Sequence, residues 1–278
     1  MNEKLRRDAD AIVAASIRAV QPDEAVRRAL EGREFPGRVR LVSVGKAAWQ
    51  MAKCAADLLG SRIEAGVVVT KYGHSKGPIA NFDIREAGHP VPDDNSFAGA
   101  QAAIDLVRGL TPQDTVLFLV SGGGSALFEK PLVSGGELAD ITRQLLACGA
   151  DIVEINTLRK RLSAVKGGKF ARLCDPARVY SIVLSDILGD PLDMIASGPA
   201  YPDSSTAADA KAIIAKYGLK LSDGALALME EETPKQLDNV TTQITGSVRQ
   251  LCAAAAQACQ SLGYEPVLLT DRLCCQAR

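Results

Sequence analysis

Ser121, Gly122, Gly123, Gly124 and Ser125 follow the apolar run 116–120 and make a loop with almost no side chains. Consecutive glycines let backbone N–H groups converge on an anion without Cβ obstruction, and the flanking serine hydroxyls can add hydrogen bonds. The chemistry such a loop can do is phosphate binding; a tight, flexible turn is the plainer reading. A second candidate, Lys46, follows Gly45 at the end of the run 39–44, where a helix opens. An ammonium held beside helix N-terminal amides can neutralise a transferred phosphate, although a surface lysine at a turn would look the same.

Carboxylates and cations fall further along the chain. Ser185, Asp186, Gly189, Asp190 and Asp193 lie just past the apolar run 179–184. Asp186 and Asp190 are the candidate magnesium ligands, because Mg²⁺ prefers hard oxygen donors with room for water and no His or Cys competes there. Asp193 reads as a turn former or helix cap. Asn156, Arg159, Lys160 and Ser163 recur at three- and four-residue steps, and Arg161 and Lys166 add to the cationic run. A solvated face would explain such a run, but no neighbouring acid neutralises it, so an anionic ligand on Asn156, Arg159, Lys160 and Lys166 is the alternative. Ser197-Gly198-Pro199 is either an anion-contacting turn or a chain break, and His89 reads as a buried, satisfied histidine.

Several chemistries are disfavoured. Gly122-x-Gly124 has Leu127 where a dinucleotide loop needs its third glycine, and Gly167-Gly168-Lys169 is followed by Phe170 where a Walker loop needs Ser or Thr. Two histidines in 278 residues leave little for a zinc site or a Ser-His-Asp triad. The seven cysteines lack any C-x-x-C pair and read as reduced residues of a cytoplasmic protein. A net charge of −1 with no basic stripe points away from nucleic acid, and no signal peptide or membrane span is read.

The elements that must position these residues alternate. Helical periodicity over 3–31 precedes strands at 39–44, 66–70, 82–87, 115–120 and 179–184, with helices at 47–59, 93–110, 136–148 and 152–173 between them. That alternation predicts a doubly wound, mostly parallel, Rossmann-like α/β sheet whose ligands lie beyond the strands' carboxyl ends, where the polar residues above fall. Residues 207–217 and 224–232 read as helices, 233–245 as a polar bridge, 246–262 as a helix and 264–270 as a strand. An N-terminal domain over 1–235 and the start of an incomplete second α/β domain over 236–278 are therefore expected.

Together, Ser121-Gly-Gly-Gly-Ser-Ala126, Ile155-Asn-x-x-Arg-Lys-x-Leu-Ser163, Lys166-Gly-Gly168, Leu184-Ser-Asp-Ile-x-Gly-Asp190 and Ala196-Ser-Gly-Pro199 resemble the glycerate 2-kinases. Val44-Gly-Lys46 and Gly88-His-Pro90 extend the resemblance. It implies transfer of the γ-phosphate of ATP to the 2-hydroxyl of D-glycerate with a divalent metal, at a cleft between an α/β domain and a smaller C-terminal domain. On that basis Lys46 and Asp186 are the expected catalytic residues, 121–125 the phosphate cradle, Asp186 and Asp190 the Mg²⁺ ligands, and Asn156, Arg159, Lys160 and Lys166 the substrate contacts. Members of the family sometimes carry the name hydroxypyruvate reductase, so an NAD(P)-dependent reductase is one alternative. A noncatalytic anion-binding module that self-associates is another, and little turnover is expected if the chain stops short of the second domain.

Overall fold

Six runs become the strands of one sheet, the central ones rich in Val, Ile and Leu: β1 (Val39–Val44), β2 (Ile63–Lys71), β3 (Phe82–Ala87), β4 (Thr115–Val120), β5 (Arg178–Leu184) and β6 (Val240–Thr245). The computed structural model describes residues 2–185, 187 and 189–273, so Asp186 lies outside the described residues. The strand order is β3-β2-β1-β4-β5-β6, and every neighbouring pair is parallel. The order reverses between β1 and β4, where Val44 is paired with Val120 and the two chains leave the sheet side by side. Loops diverge at such a switch point and open a crevice.

Strand pleating sends alternate residues to opposite faces, and β4 displays both. Val116, Phe118 and Val120 enter one core, while Leu117 and Leu119 enter the other. The helices are α1 (Glu3–Ala19), α2 (Pro22–Leu30), α3 (Ala48–Leu59), α4 (Asp94–Leu106), α5 (Gly124–Leu127), α6 (Gly135–Ala147), α7 (Ile152–Arg161), α8 (Lys169–Leu173), α9 (Ala207–Tyr217), α10 (Asp223–Glu230) and α11 (Val248–Ser261). Val26 of α2 and Met51 of α3 cover the face that holds Leu117; Ala100 of α4 and Phe170 of α8 cover the other. Residues of α6, α7, α9 and α10 form a separate apolar cluster beside the sheet. Reciprocal capping boxes start α4 at Asp93/Ser96 and α7 at Asp151/Glu154, satisfying N–H groups that a helix leaves open.

Three differences from the sequence reading matter. The stretch 233–245 contains β6, so the sheet continues past residue 235, where a second domain is expected to begin. Residues 264–270 form no strand. The helix expected over 152–173 is broken between α7 and α8, where Gly167 and Gly168 take left-handed φ values of 58° and 81°.

Candidate functional site

The switch point is closed by backbone contacts that need small residues. Gly45 has φ 117°, and a Cβ there would run into the Ser121 hydroxyl and carbonyl. That absence lets the Lys46 N–H donate to the Gly122 carbonyl at 2.8 Å. The Ala47 N–H donates to Ser121 Oγ at 3.1 Å, and the Ser121 hydroxyl donates to the Val44 carbonyl at 3.3 Å. Ser121 is thus buried and committed to fastening the two turns together; its hydroxyl is not offered to the crevice, as the sequence reading expects. Thr70 at the end of β2 donates to the Gly45 carbonyl at 3.1 Å and fixes the turn from the other side.

Gly123 takes φ 86°, open to glycine and strained for other residues. A Cβ there would lie 3.2 Å from Lys46 Cε, so the lysine side chain runs directly across the glycine loop. Lys46 is exposed, and its ammonium makes no hydrogen bond or ion pair among the described residues. No side chain caps α3, which starts just behind it. An exposed positive charge beside a helix N-terminus favours an anion.

Next to the loop lies a cleft of ≈ 590 Å³ whose floor is 122–125 and Asn156, and whose walls include Ile152, Val153, Pro191 and Met194. Ser125 Oγ is 3.0 Å from Ser197 Oγ, and the Ser197 hydroxyl donates to Asn156 Oδ1 at 2.9 Å. Ala196, Ser197 and Gly198 have φ values of 53°, 61° and 64°. Consecutive left-handed residues persist only where surrounding contacts over-determine them. Here Gly167 donates to the Ser197 carbonyl at 3.0 Å and Gly168 to the Gly198 carbonyl at 2.7 Å. The Lys166-Gly-Gly168 segment is a clamp for the 196–199 turn.

The cationic run departs from its expected role, because its acids come from distant parts of the chain. Lys160 is 2% exposed and lies 2.9 Å from Asp203 and 3.3 Å from Asp193. Lys166 is fully buried, 3.6 Å from the equally buried Glu129, and donates to the carbonyls of Ser125 at 2.8 Å and Phe128 at 3.0 Å. Arg159 also meets Glu129 at 3.6 Å and the Ser125 carbonyl at 3.0 Å. Of the four expected substrate contacts, Asn156 alone lines the cleft; Lys160 and Lys166 lie inside the protein. Burial drives the Lys166 ammonium down to about 8, with Glu129 acting in the opposite sense. Burial also pushes the Asp203 carboxyl up, but hydrogen bonds from Thr233 and Lys160 outweigh it and leave the group below its ordinary value.

Asp190, with φ 53°, sits on the loop after β5 beside Ile187, which also lines the cleft. Asp193 neither caps a helix nor forms a turn through its side chain; it accepts from Ser204 at 2.8 Å and pairs with Lys160. Among the described residues, no three His, Cys, Asp or Glu side chains gather as a metal cage. Mg²⁺ needs no such cage when phosphate oxygens and waters complete its shell, and the Asp190 carboxylate is a donor of the right kind. His89 is half-exposed against Gly123 and not a core residue, contrary to the sequence reading. Glu129 and Asp203 gave no signal in sequence, since neither lies near the cations it serves.

A parallel sheet with a lysine and a glycine loop at its switch point defines a doubly wound α/β protein. Residues 8–230 match the family described as "Domain of unknown function (DUF4147)", and the chain belongs to that family. A D-glycerate 2-kinase of Thermotoga maritima is 51% identical over 278 residues, covering 99% of this chain and 66% of its own. A protein of Agrobacterium vitis that bears a hydroxypyruvate reductase name is 41% identical over 285 residues, covering 99% and 62%. The crystal structure of a glycerate kinase from Thermotoga maritima superposes with a TM-score of 0.90 at 52% identity, over 94% of this chain and 63% of that one. The chain spans a little under two thirds of the length of these proteins.

Proposed function

We propose that this chain takes part in ATP-dependent phosphorylation of D-glycerate at its 2-hydroxyl, and that the crevice between β1 and β4 holds the nucleotide phosphates. The observation that carries this reading is the exposed Lys46 side chain lying across Gly123 at the switch point. Phosphoryl transfer asks little covalent chemistry of a protein; positioning and charge neutralisation supply most of the rate. The loop N–H groups at 122–124 and the Ser125 hydroxyl would seat the phosphates, and the Lys46 ammonium would offset charge on the transferred group. The apolar wall of Ile152, Val153, Pro191 and Met194 suits the base of a nucleotide whose phosphates rest on the loop. Mg²⁺ would offset phosphate charge when bound, and Asp190 and Asp186 are the residues that would hold it. Of the expected substrate contacts, Asn156 lines the cleft. Burial of the Lys160 and Lys166 charges favours a framework role for them.

The reductase reading has less support. Dinucleotide loops of this strand order sit after the first strand with three glycines, whereas β1 is followed by Gly45, Lys46 and Ala47. Incubation with ATP, Mg²⁺ and D-glycerate, beside incubation with NAD(P)H and hydroxypyruvate, separates the two. Formation of ADP and 2-phosphoglycerate is the expected outcome. Oxidation of NAD(P)H without phosphoryl transfer would overturn it.

A further inference from the structure

The loop after β3 carries Gly88-His89-Pro90, a motif that the proposed chemistry leaves unused. β3 is the outermost strand, separated from β1 by β2, yet its loop returns to the crevice. The Cδ2–Nε2 edge of His89 lies 2.9–3.1 Å from the place a Cβ on Gly123 would occupy, and Lys46 Cε lies 3.2 Å from that same place. The return path is set by close packing. A Cβ on Gly88 would come within 2.6 Å of the Val91 carbonyl and 3.0 Å of Asp93 Oδ2. Asp93 in turn accepts from Tyr72 at 2.7 Å and caps α4. A braced loop from the sheet edge therefore brings a half-exposed imidazole against Gly123, the glycine of the loop with a left-handed φ.

We infer that His89 is a further ligand-contacting residue of this site, its ring N–H donating to a phosphoryl oxygen of the nucleotide bound beside Lys46 at the glycine loop. The inference rests on the reading of the crevice as a nucleotide-phosphate site. An anion over Gly123 would be flanked by an ammonium on one side and an imidazole donor on the other, and hydrogen bonds to a charged oxygen are the stronger kind. This also explains why the glycine cannot carry a side chain: a Cβ would push on both groups that grip the ligand.

Titration calorimetry with two probes, ADP and inorganic pyrophosphate, tests the inference on the wild type, His89→Gln and His89→Leu, with thermal midpoints recorded alongside. Gln keeps an N–H donor near the position of Nε2, and Leu removes it. His89→Leu is expected to weaken pyrophosphate and ADP alike by about tenfold or more, the effect of losing a hydrogen bond to a charged group, while His89→Gln stays near wild type. Equal pyrophosphate affinity in the wild type and His89→Leu would overturn the inference and leave the phosphate site standing. Failure of the wild type to bind either probe would overturn the reading of the crevice itself. Should His89→Leu not fold, the ring signals of His89 in the wild-type NMR spectrum decide, assigned by comparison with His74→Gln, because the chain has two histidines. Pyrophosphate is expected to move them; no movement at saturation would overturn the inference.

Discussion

Lys46 and Lys166 approach the glycine loop from opposite sides. Lys46 runs across Gly123 from the solvent, with its ammonium unmatched among the described residues. Lys166 comes from within, fully buried, and spends its donors on the carbonyls of Ser125 and Phe128 beside Glu129. Removing one partner of a buried ion pair strands the other charge, whereas an exposed lysine can be removed with little effect on folding. The comparison teaches that burial, not residue type, separates a charge that holds the loop in place from one left for a ligand.

The largest expected effect falls on the buried side. Asp203 faces Lys160 at 2.9 Å and accepts from Thr233 at 2.7 Å, so Asp203→Ala should destabilise the fold by about 3–5 kcal/mol, the usual result of orphaning a buried charge. Denaturant unfolding reads it directly. A loss below 1 kcal/mol would mean that solvent reaches the cluster.

On the exposed side, Lys46→Ala should lower kcat by about two orders of magnitude or more, the scale of losing one key electrostatic donor, with an unchanged thermal midpoint. A shifted midpoint with normal turnover would reverse the roles of the two lysines. Gly123→Ala sits between the extremes. Its left-handed φ costs roughly 1–2 kcal/mol in a residue with a Cβ, and the added methyl displaces His89 and Lys46, so weaker ADP binding should accompany a modest loss of stability.

The smallest effect is a pH dependence confined to the buried set. Burial lowers both Lys166 and Lys169 to about 8, so the folded chain holds these protons less tightly than the unfolded chain. Between pH 8 and the ordinary lysine range the unfolded state binds more protons, and this contribution to stability rises with pH. Measured from pH 8 to 10, the stability of the wild type relative to Lys166→Met should therefore rise.

Much of this division was local and therefore legible in the sequence. The strand-loop pattern at 116–125 and the strand-turn-helix at 39–59 identify the crevice because each is written in consecutive residues. Long-range charge matching was not legible. Lys160 and Lys166 read as ligand-binding because Asp203 and Glu129 reach them only through the fold. Strand β6 carries little strand signal, because Val240-Thr-Thr-Gln-Ile-Thr245 forms a half-buried edge with polar residues on it. The position of His89 is not legible in the sequence, because its loop returns from the outer strand, a path no periodicity encodes.

Lysine acylation of the folded wild-type protein, mapped by mass spectrometry with and without ADP, separates the two lysine roles. Lys46 should be modified in the free protein and protected by ADP, while Lys160 and Lys166 stay unmodified in both states. Modification of Lys160 or Lys166 that ADP suppresses, with Lys46 indifferent to the nucleotide, would contradict the account.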